Sequence, residues 1–228
     1  MNKNSIISRC LLGLSFVLFI VALYLVFIYV PTEKTMGVIQ RIFYFHVPVA
    51  WIAFLAFFIV FISSIMYLWK RKNNWDMIAN ASAEVGLVFT TLVLITGSIW
   101  AKPIWGVWWV WEPRLTTALV LWFIYASYLL IRSYASEESR GARFAAVIGI
   151  IGFIDVPIAA FAITLWRTQH PGPVIFSGGL APPMLLTLLI SLAAFTSLYA
   201  LLMIQRVSLK KSEDEIKRLK DNEHVFDQ

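Results

Sequence analysis

Hydrophobic residues in this chain gather in long runs that polar residues rarely interrupt. Six runs are long enough to span a bilayer, each of about 18–23 residues, and they cover 11–30, 48–69, 78–99, 115–132, 144–166 and 183–205. At 1.5 Å per residue, helices of this length reach about 27–35 Å, which matches the hydrocarbon core of a membrane. The pattern therefore predicts six transmembrane helices.

The overall composition supports the same class of protein. The 228 residues are 60% hydrophobic and only 14% charged, with a mean hydropathy of +0.76. A soluble domain of this length could not cover so much apolar surface with so few charges. We expect an all-α, polytopic membrane domain over residues 1–205 and a charged cytoplasmic tail, a frayed helix at most, over 206–228. The single Cys10 excludes an internal disulfide, and the absence of a CxxCH motif excludes a c-type cytochrome.

The distribution of Lys and Arg predicts the orientation. Most of those outside the predicted spans lie in the N-terminus, in the loops 70–77 and 132–143, and in the tail. Cytoplasmic segments carry this excess, so both termini are expected in the cytoplasm and the loops 31–47, 100–114 and 167–182 outside. The first run resembles a signal peptide, but it is a full span with no small-x-small cleavage pattern after it, so we expect a retained helix.

Two of the three histidines fall in the outward loops. His46 lies in "FYFHVPVAW", where Pro48 suits the opening turn of the second helix, and His170 lies in "WRTQHPGPV". A single histidine at such a place is usually a hydrogen-bonded interfacial residue. Two on one face favour haem, because two imidazoles complete the coordination of its iron. Zinc, the competing metal, usually takes three or four protein ligands, and His224 in the tail cannot supply a third.

Tryptophans are concentrated in the second outward loop, "WGVWWVWEPRLT". Five of the ten lie within residues 100–111, whereas an aromatic belt would spread over all helix ends. If 104–112 is helical, Trp105, Trp108, Trp109 and Glu112 share one face. Such an amphipathic segment would offer a flat apolar platform to a planar ligand with an acidic edge, which describes haem. The candidate cations for its propionates are Arg114, Lys102, Arg41 and Arg167.

Three acids leave alternatives open. Glu112 precedes Pro113 at the predicted start of the fourth helix, so a role at the helix start and a ligand-contacting role are equally supported. Glu84 and Asp155 lie inside spans, where an ionisable group is costly. Hydrogen bonds to neighbouring helices, for example to the hydroxyls of Thr90, Thr91 or Thr164, are favoured over proton relay. Pro157 predicts a freed backbone carbonyl near Asp155.

The stretch "WGVWWVWEPRLT" resembles the WGxWWxWD motif of the haem-handling protein family, and "FYFHVPVAW" and "GFIDVPI" are similar to that family as well. The six spans and the positions of both histidines match its small member in cytochrome c maturation. Larger members carry two further transmembrane histidines that this sequence lacks. Glu112 departs from the Asp that the family commonly has, which puts the role of this position in doubt.

The resemblance implies a haem delivery protein rather than an enzyme. Haem b (iron protoporphyrin IX) would be held at the periplasmic face of the bacterial inner membrane, with His46 and His170 as axial ligands. The other implied contacts are Trp105, Trp108, Trp109, Trp111, Glu112 and Arg114. The haem chaperone CcmE would receive the haem, and CcmA, CcmB and CcmD would complete an ABC transporter complex. No Walker motif occurs in this sequence, so ATP hydrolysis would belong to a partner.

The main alternative is a permease subunit that carries haem or another substrate across the membrane. It would need polar or small residues along several spans, and the sequence supplies few. A redox cytochrome b would need histidine pairs inside the helices, and a complete cytochrome c synthase would need further transmembrane histidines; the sequence has neither.

Overall fold

Seven α-helices make up the chain in a computed structural model that describes residues 3–135, 138–166, 170, 175 and 178–226. They are α1 (Lys3–Tyr24), α2 (Phe43–Lys70), α3 (Asn73–Trp105), α4 (Pro113–Tyr134), α5 (Glu138–Gly152), α6 (Asp155–Leu165) and α7 (Pro182–Phe226). A π-helical turn, Leu25–Tyr29, ends α1, and a 3₁₀ turn, Val38–Ile42, leads into α2. The described residues contain no β-strand.

Six stretches of these helices are long and apolar enough to cross a membrane. They are Ser5–Tyr29, Val38–Lys70, Asn73–Trp105, Pro113–Tyr134, Ser139–Ala162 and Pro182–Lys217. Each contains most of one predicted run, so the all-α, six-span prediction is confirmed. An even number of crossings also places both termini at the same end of the bundle.

The α2–α3 pair forms the centre of the bundle, with α1 packed on α7 and α4 packed on α5 and α6. Small buried residues such as Ala53 and Ala56 let the helices approach closely. The Ser82 hydroxyl donates to the Ala56 carbonyl at 2.7 Å and also bonds the Tyr199 hydroxyl at 2.7 Å, which ties α2, α3 and α7 together. This rigid frame positions the residues at the end opposite the termini.

The fifth span is broken in the middle, just before Pro157, where the sequence predicted a freed backbone carbonyl but no break in the helix. Helix α5 ends at Gly152 and α6 begins at Asp155. Pro157 has no N–H to donate to the carbonyl of Phe153, four residues earlier. The Val156 N–H bonds that carbonyl instead, at 3.1 Å, so the break leaves it satisfied.

Two predicted helix boundaries are wrong. Helix α2 begins at Phe43, so Pro48 lies in its second turn, and His46 is helical rather than in a loop. Phe43 and Tyr44 are buried in the core, and this packing extends the helix outward past the proline. The expected helix over 104–112 does not form. Helix α3 ends at Trp105, because Gly106 adopts a left-handed conformation (φ 76°) and donates its N–H to the Lys102 carbonyl at 3.0 Å.

The end of the bundle that holds the termini carries paired charges. Asp76 and Arg132 form an ion pair that is almost fully buried. Glu84 accepts a hydrogen bond from Asn80 at 2.9 Å and pairs with Arg206 of α7. The threonine hydroxyls suggested as partners are therefore not the partners of Glu84. The Thr90, Thr91 and Thr164 hydroxyls each donate to a backbone carbonyl of their own helix. Helix α7 continues without a break at 206, so the tail begins as an extension of the sixth span.

Candidate functional site

Two histidines meet in one cavity at the end of the bundle away from the termini. His46 projects from α2, and His170 belongs to the connection between α6 and α7. Their ring centroids lie 6.5 Å apart, with 44° between the ring planes. Both line a cavity of about 710 Å³, bounded by α2, α6, α7 and the loop before the 3₁₀ turn. The structure thus brings together side chains that are 124 positions apart in the sequence.

His46 is held against one face of α3. Its Nδ1 lies 2.8 Å from Thr96 Oγ1. A Cβ at Gly97 would lie 3.3 Å from His46 Cε1, so only a glycine leaves ordinary room for the ring. Trp100, one turn further along α3, packs edge-on against the imidazole with centroids 5.7 Å apart. The Nδ1 edge therefore faces α3, and Nε2 makes no hydrogen bond within the described part of the chain.

His170 faces a buried carboxylate. Its Nδ1 lies 3.3 Å from Glu112 Oε1, and the Trp105 ring packs edge-on with centroids 6.0 Å apart. The Glu112 backbone precedes α4, and its carbonyl accepts the Thr116 N–H at 3.0 Å, whereas its side chain makes no capping bond. Glu112 therefore precedes α4 without capping it through its side chain, and a ligand-contacting role for its carboxylate stays a prediction. The two groups lie at ion-pair distance without hydrogen-bond alignment, and a carboxylate close to the outer nitrogen is a common neighbour of metal-binding imidazoles.

The cavity walls are mainly apolar. The apolar residues that line it include Phe43, Trp51, Phe54, Trp100, Leu180 and Met184. Two cations, Lys34 and Arg114, also line it. Glu33 adds an acid, but its carboxylate accepts the backbone N–H groups of Met36 and Thr35, and the Met36 bond is the main reason that its pKa is lowered. The cavity combines an apolar interior with two positive charges and two imidazoles.

None of the four tryptophans of the motif is among the described residues that line this cavity. Trp105 packs on His170, while Trp108 and Trp111 are 58% and 75% exposed. Trp109 packs edge-on against Trp111 at 5.6 Å, and its indole N–H is buried with no acceptor among the described residues. Trp105 ends α3, and Trp108, Trp109 and Trp111 follow it outside any helix, so the four do not share one helix face.

Of the three candidate cations that the structure describes, Arg114 alone lines the cavity. Lys102 donates to the Gly106 carbonyl at 2.9 Å and lies 5.9 Å from the Trp108 ring centroid, so it holds the end of α3. Arg167 lies outside the described residues. Sequence reasoning missed Lys34, Trp51, Trp100 and Thr96, since none belongs to the motif. Among the described residues no three of His, Cys, Asp and Glu come together as candidate metal ligands.

Comparison with known proteins gives a consistent set of matches. Residues 1–222 match a family model described as Heme exporter protein C. A protein of that name from Bradyrhizobium diazoefficiens is 37% identical over 175 residues, which are 75% of this chain and 66% of that protein. The Haemophilus influenzae protein of the same name is 33% identical over 193 residues, 83% and 78% of the two chains. A ccmC-like mitochondrial protein of Marchantia polymorpha, named for cytochrome c biosynthesis, is 34% identical over 163 residues, 72% and 69%.

Proposed function

The chain belongs to the Heme exporter protein C (CcmC) family, and from that premise we propose that it binds haem between His46 and His170 for cytochrome c maturation. The observation that supports this most is the 6.5 Å separation of the two ring centroids. Two imidazoles that bind one metal ion from opposite sides, each with its nitrogen at about 2 Å, have ring centres roughly 6 Å apart.

The surroundings of the two rings suit the same ligand. Thr96 lies close to Nδ1 of His46 and Glu112 lies close to Nδ1 of His170, so the Nε2 edge of each imidazole points away from these neighbours. The apolar walls would contact the macrocycle, and Arg114 and Lys34 would pair with the propionates. The cavity volume also lies in the range of about 300–1,000 Å³ that is usual for small-molecule pockets.

The exposed indoles give the tryptophan motif a second role in this proposal. Trp105 packs on His170, and the exposed Trp108 and Trp111 of the same motif would contact the haem edge and the membrane-anchored chaperone CcmE that receives it. CcmA, CcmB and CcmD would assemble with the chain and supply ATP hydrolysis. The chain itself presents haem without making bonds to carbon. The Lys and Arg distribution supports a periplasmic haem site in the inner membrane, with both termini cytoplasmic.

The test is an absorption spectrum of the detergent-purified chain, oxidised and reduced, with and without the chaperone. His46→Ala and His170→Ala should each weaken or shift the Soret and low-spin visible bands. His224→Ala, in the tail, is the matched control and should leave them unchanged. Full haem retention with unchanged bands in both site variants would contradict the proposal and favour the permease alternative.

A further inference from the structure

We infer that Thr96 fixes the tautomer of His46 and so acts as a positioning residue for this iron ligand, an inference that rests on the proposed function. The Thr96 hydroxyl oxygen has several neighbours. It lies 2.6 Å from the Leu92 carbonyl, 3.4 Å from the Val93 carbonyl and 2.8 Å from His46 Nδ1. These contacts decide which ring nitrogen carries the proton.

The assignment follows from the number of hydrogens available. A threonine hydroxyl has one hydrogen to donate, and a backbone carbonyl can only accept. The short contact to Leu92 therefore uses the Thr96 hydrogen, as is common for threonine within a helix. Only a lone pair of Thr96 Oγ1 is left for His46, so Nδ1 must be the donor. Nε2 then carries the lone pair that a metal ion needs.

The same face of α3 also sets the orientation of the ring. Gly97 leaves space for the Cε1 edge, and Trp100 packs edge-on against the imidazole. His46 itself is only 7% exposed. Three neighbours on one rigid helix thus hold the ligand in place before any metal arrives, which is the arrangement that metal sites generally need.

The two axial ligands are consequently unequal. Donation from Nδ1–H makes Nε2 a stronger ligand, and the negative charge of a nearby carboxylate strengthens it more than a neutral hydroxyl does. His46 faces the hydroxyl of Thr96, whereas His170 faces the carboxylate of Glu112. Loss of an outer partner of this kind typically weakens metal binding by about 10–100-fold, and for a neutral partner we expect the lower value.

The experiment compares Thr96→Val with Thr96→Ser in the full-length, haem-loaded chain. Thr96→Val should weaken ferric haem binding about tenfold. If ferrous binding is unchanged, the reduction potential rises by about 59 mV for a one-electron couple. Thr96→Ser keeps the hydroxyl and should retain the original potential. The readouts are a redox titration followed by absorption and the low-spin ferric EPR signal.

Thr91→Val is the matched control on the same helix. Its hydroxyl also donates to a carbonyl four residues back, at 2.9 Å, and accepts a ring N–H, from Trp122 at 2.8 Å, but it touches no histidine. Thr91→Val should leave the reduction potential of the bound haem unchanged. A shift equal to that of Thr96→Val would overturn the inference, because general loosening of α3 would then explain both.

The outcomes separate this inference from the proposed function. If His46→Ala leaves the spectrum of the unsubstituted chain intact, the proposed function fails. If His46→Ala loses the low-spin bands but Thr96→Val keeps the original potential, only the inference fails. Should Thr96→Val not accumulate, Thr96→Cys gives the same comparison, since a thiol is a weak hydrogen-bond acceptor.

Discussion

Replacing Gly97 with alanine would press on the His46 ring from α3. An ideal Cβ at this position lies 3.3 Å from His46 Cε1 and 4.0 Å from Nδ1. Carbon atoms pack best at about 3.5–4.0 Å, so the ring must retreat by roughly 0.2–0.7 Å. The helix itself gains, because alanine favours a helix interior by about 1 kcal/mol over glycine. We therefore expect a folded protein with a displaced histidine.

The displacement is large on the scale of metal coordination. Ligand distances in metal sites are held to within about 0.2 Å. We expect Gly97→Ala to weaken ferric haem binding about tenfold, which is about 1.4 kcal/mol, and to reduce the low-spin bands. The assay is a haem titration followed at the Soret band, together with thermal unfolding of the same detergent preparation.

Gly13→Ala provides the control for the helix effect. Gly13 lies in α1, and a Cβ there would have nothing within 4 Å. It should raise the thermal midpoint without changing haem binding. If Gly97→Ala behaves like Gly13→Ala in both measurements, the His46 ring is not confined by α3, and the reasoning about its orientation is refuted.

Three further predictions follow from the described contacts. Glu112→Gln replaces the carboxylate facing His170 with a neutral amide, so a redox titration should show a higher potential for bound haem; an unchanged potential would contradict this role. Asp76→Ala leaves Arg132 buried without its carboxylate partner and should cost about 3–5 kcal/mol, seen as a lower thermal midpoint, while the spectrum of retained haem stays the same; an altered spectrum would link this pair to the site. Backbone N–H groups, chiefly of Met36, hold the pKa of Glu33 below its ordinary 4.5, so its contribution to stability persists above that pH and disappears only as the pH falls through the lowered value. Carboxyl NMR should show this titration, and Glu33→Gln should remove it. A titration midpoint of Glu33 at or above 4.5 would show that the backbone N–H groups do not stabilise its carboxylate.

The sequence was most informative where one physical constraint dominates. A helix that crosses a bilayer needs about 20 apolar residues, so the six spans could be located without any tertiary contact. Pro157 indicated a freed backbone carbonyl for an equally local reason, but the structure breaks the span there, and the Val156 N–H bonds that carbonyl. Where tertiary packing competes with local preference, the prediction failed. The buried Phe43 and Tyr44 start α2 before Pro48, although proline favours the first turn.

The tryptophan motif contains a local signal against a helix over 104–112, namely Gly106. A helix face over 104–112 suits the spacing of Trp105, Trp108 and Glu112, but Gly106 lies between them. Glycine is the residue most often found just after a helix, in the left-handed conformation that it adopts here. Gly106 thus ends α3, and the tryptophans that follow it and Glu112 do not share a helix face with Trp105.

The sequence by itself determined the class of protein, the number of spans and the two histidines that face the same end of the bundle. Only the tertiary structure decided what surrounds them. Thr96, Gly97 and Lys34 belong to no recognisable motif. The contacts of Thr96 and Gly97 with His46 depend on the rotation of α3 about its axis, and the position of Lys34 at the cavity depends on the path of the loop before α2. Helix rotation follows from interlocking side chains across many residues, whereas bilayer spanning depends on length and hydrophobicity alone.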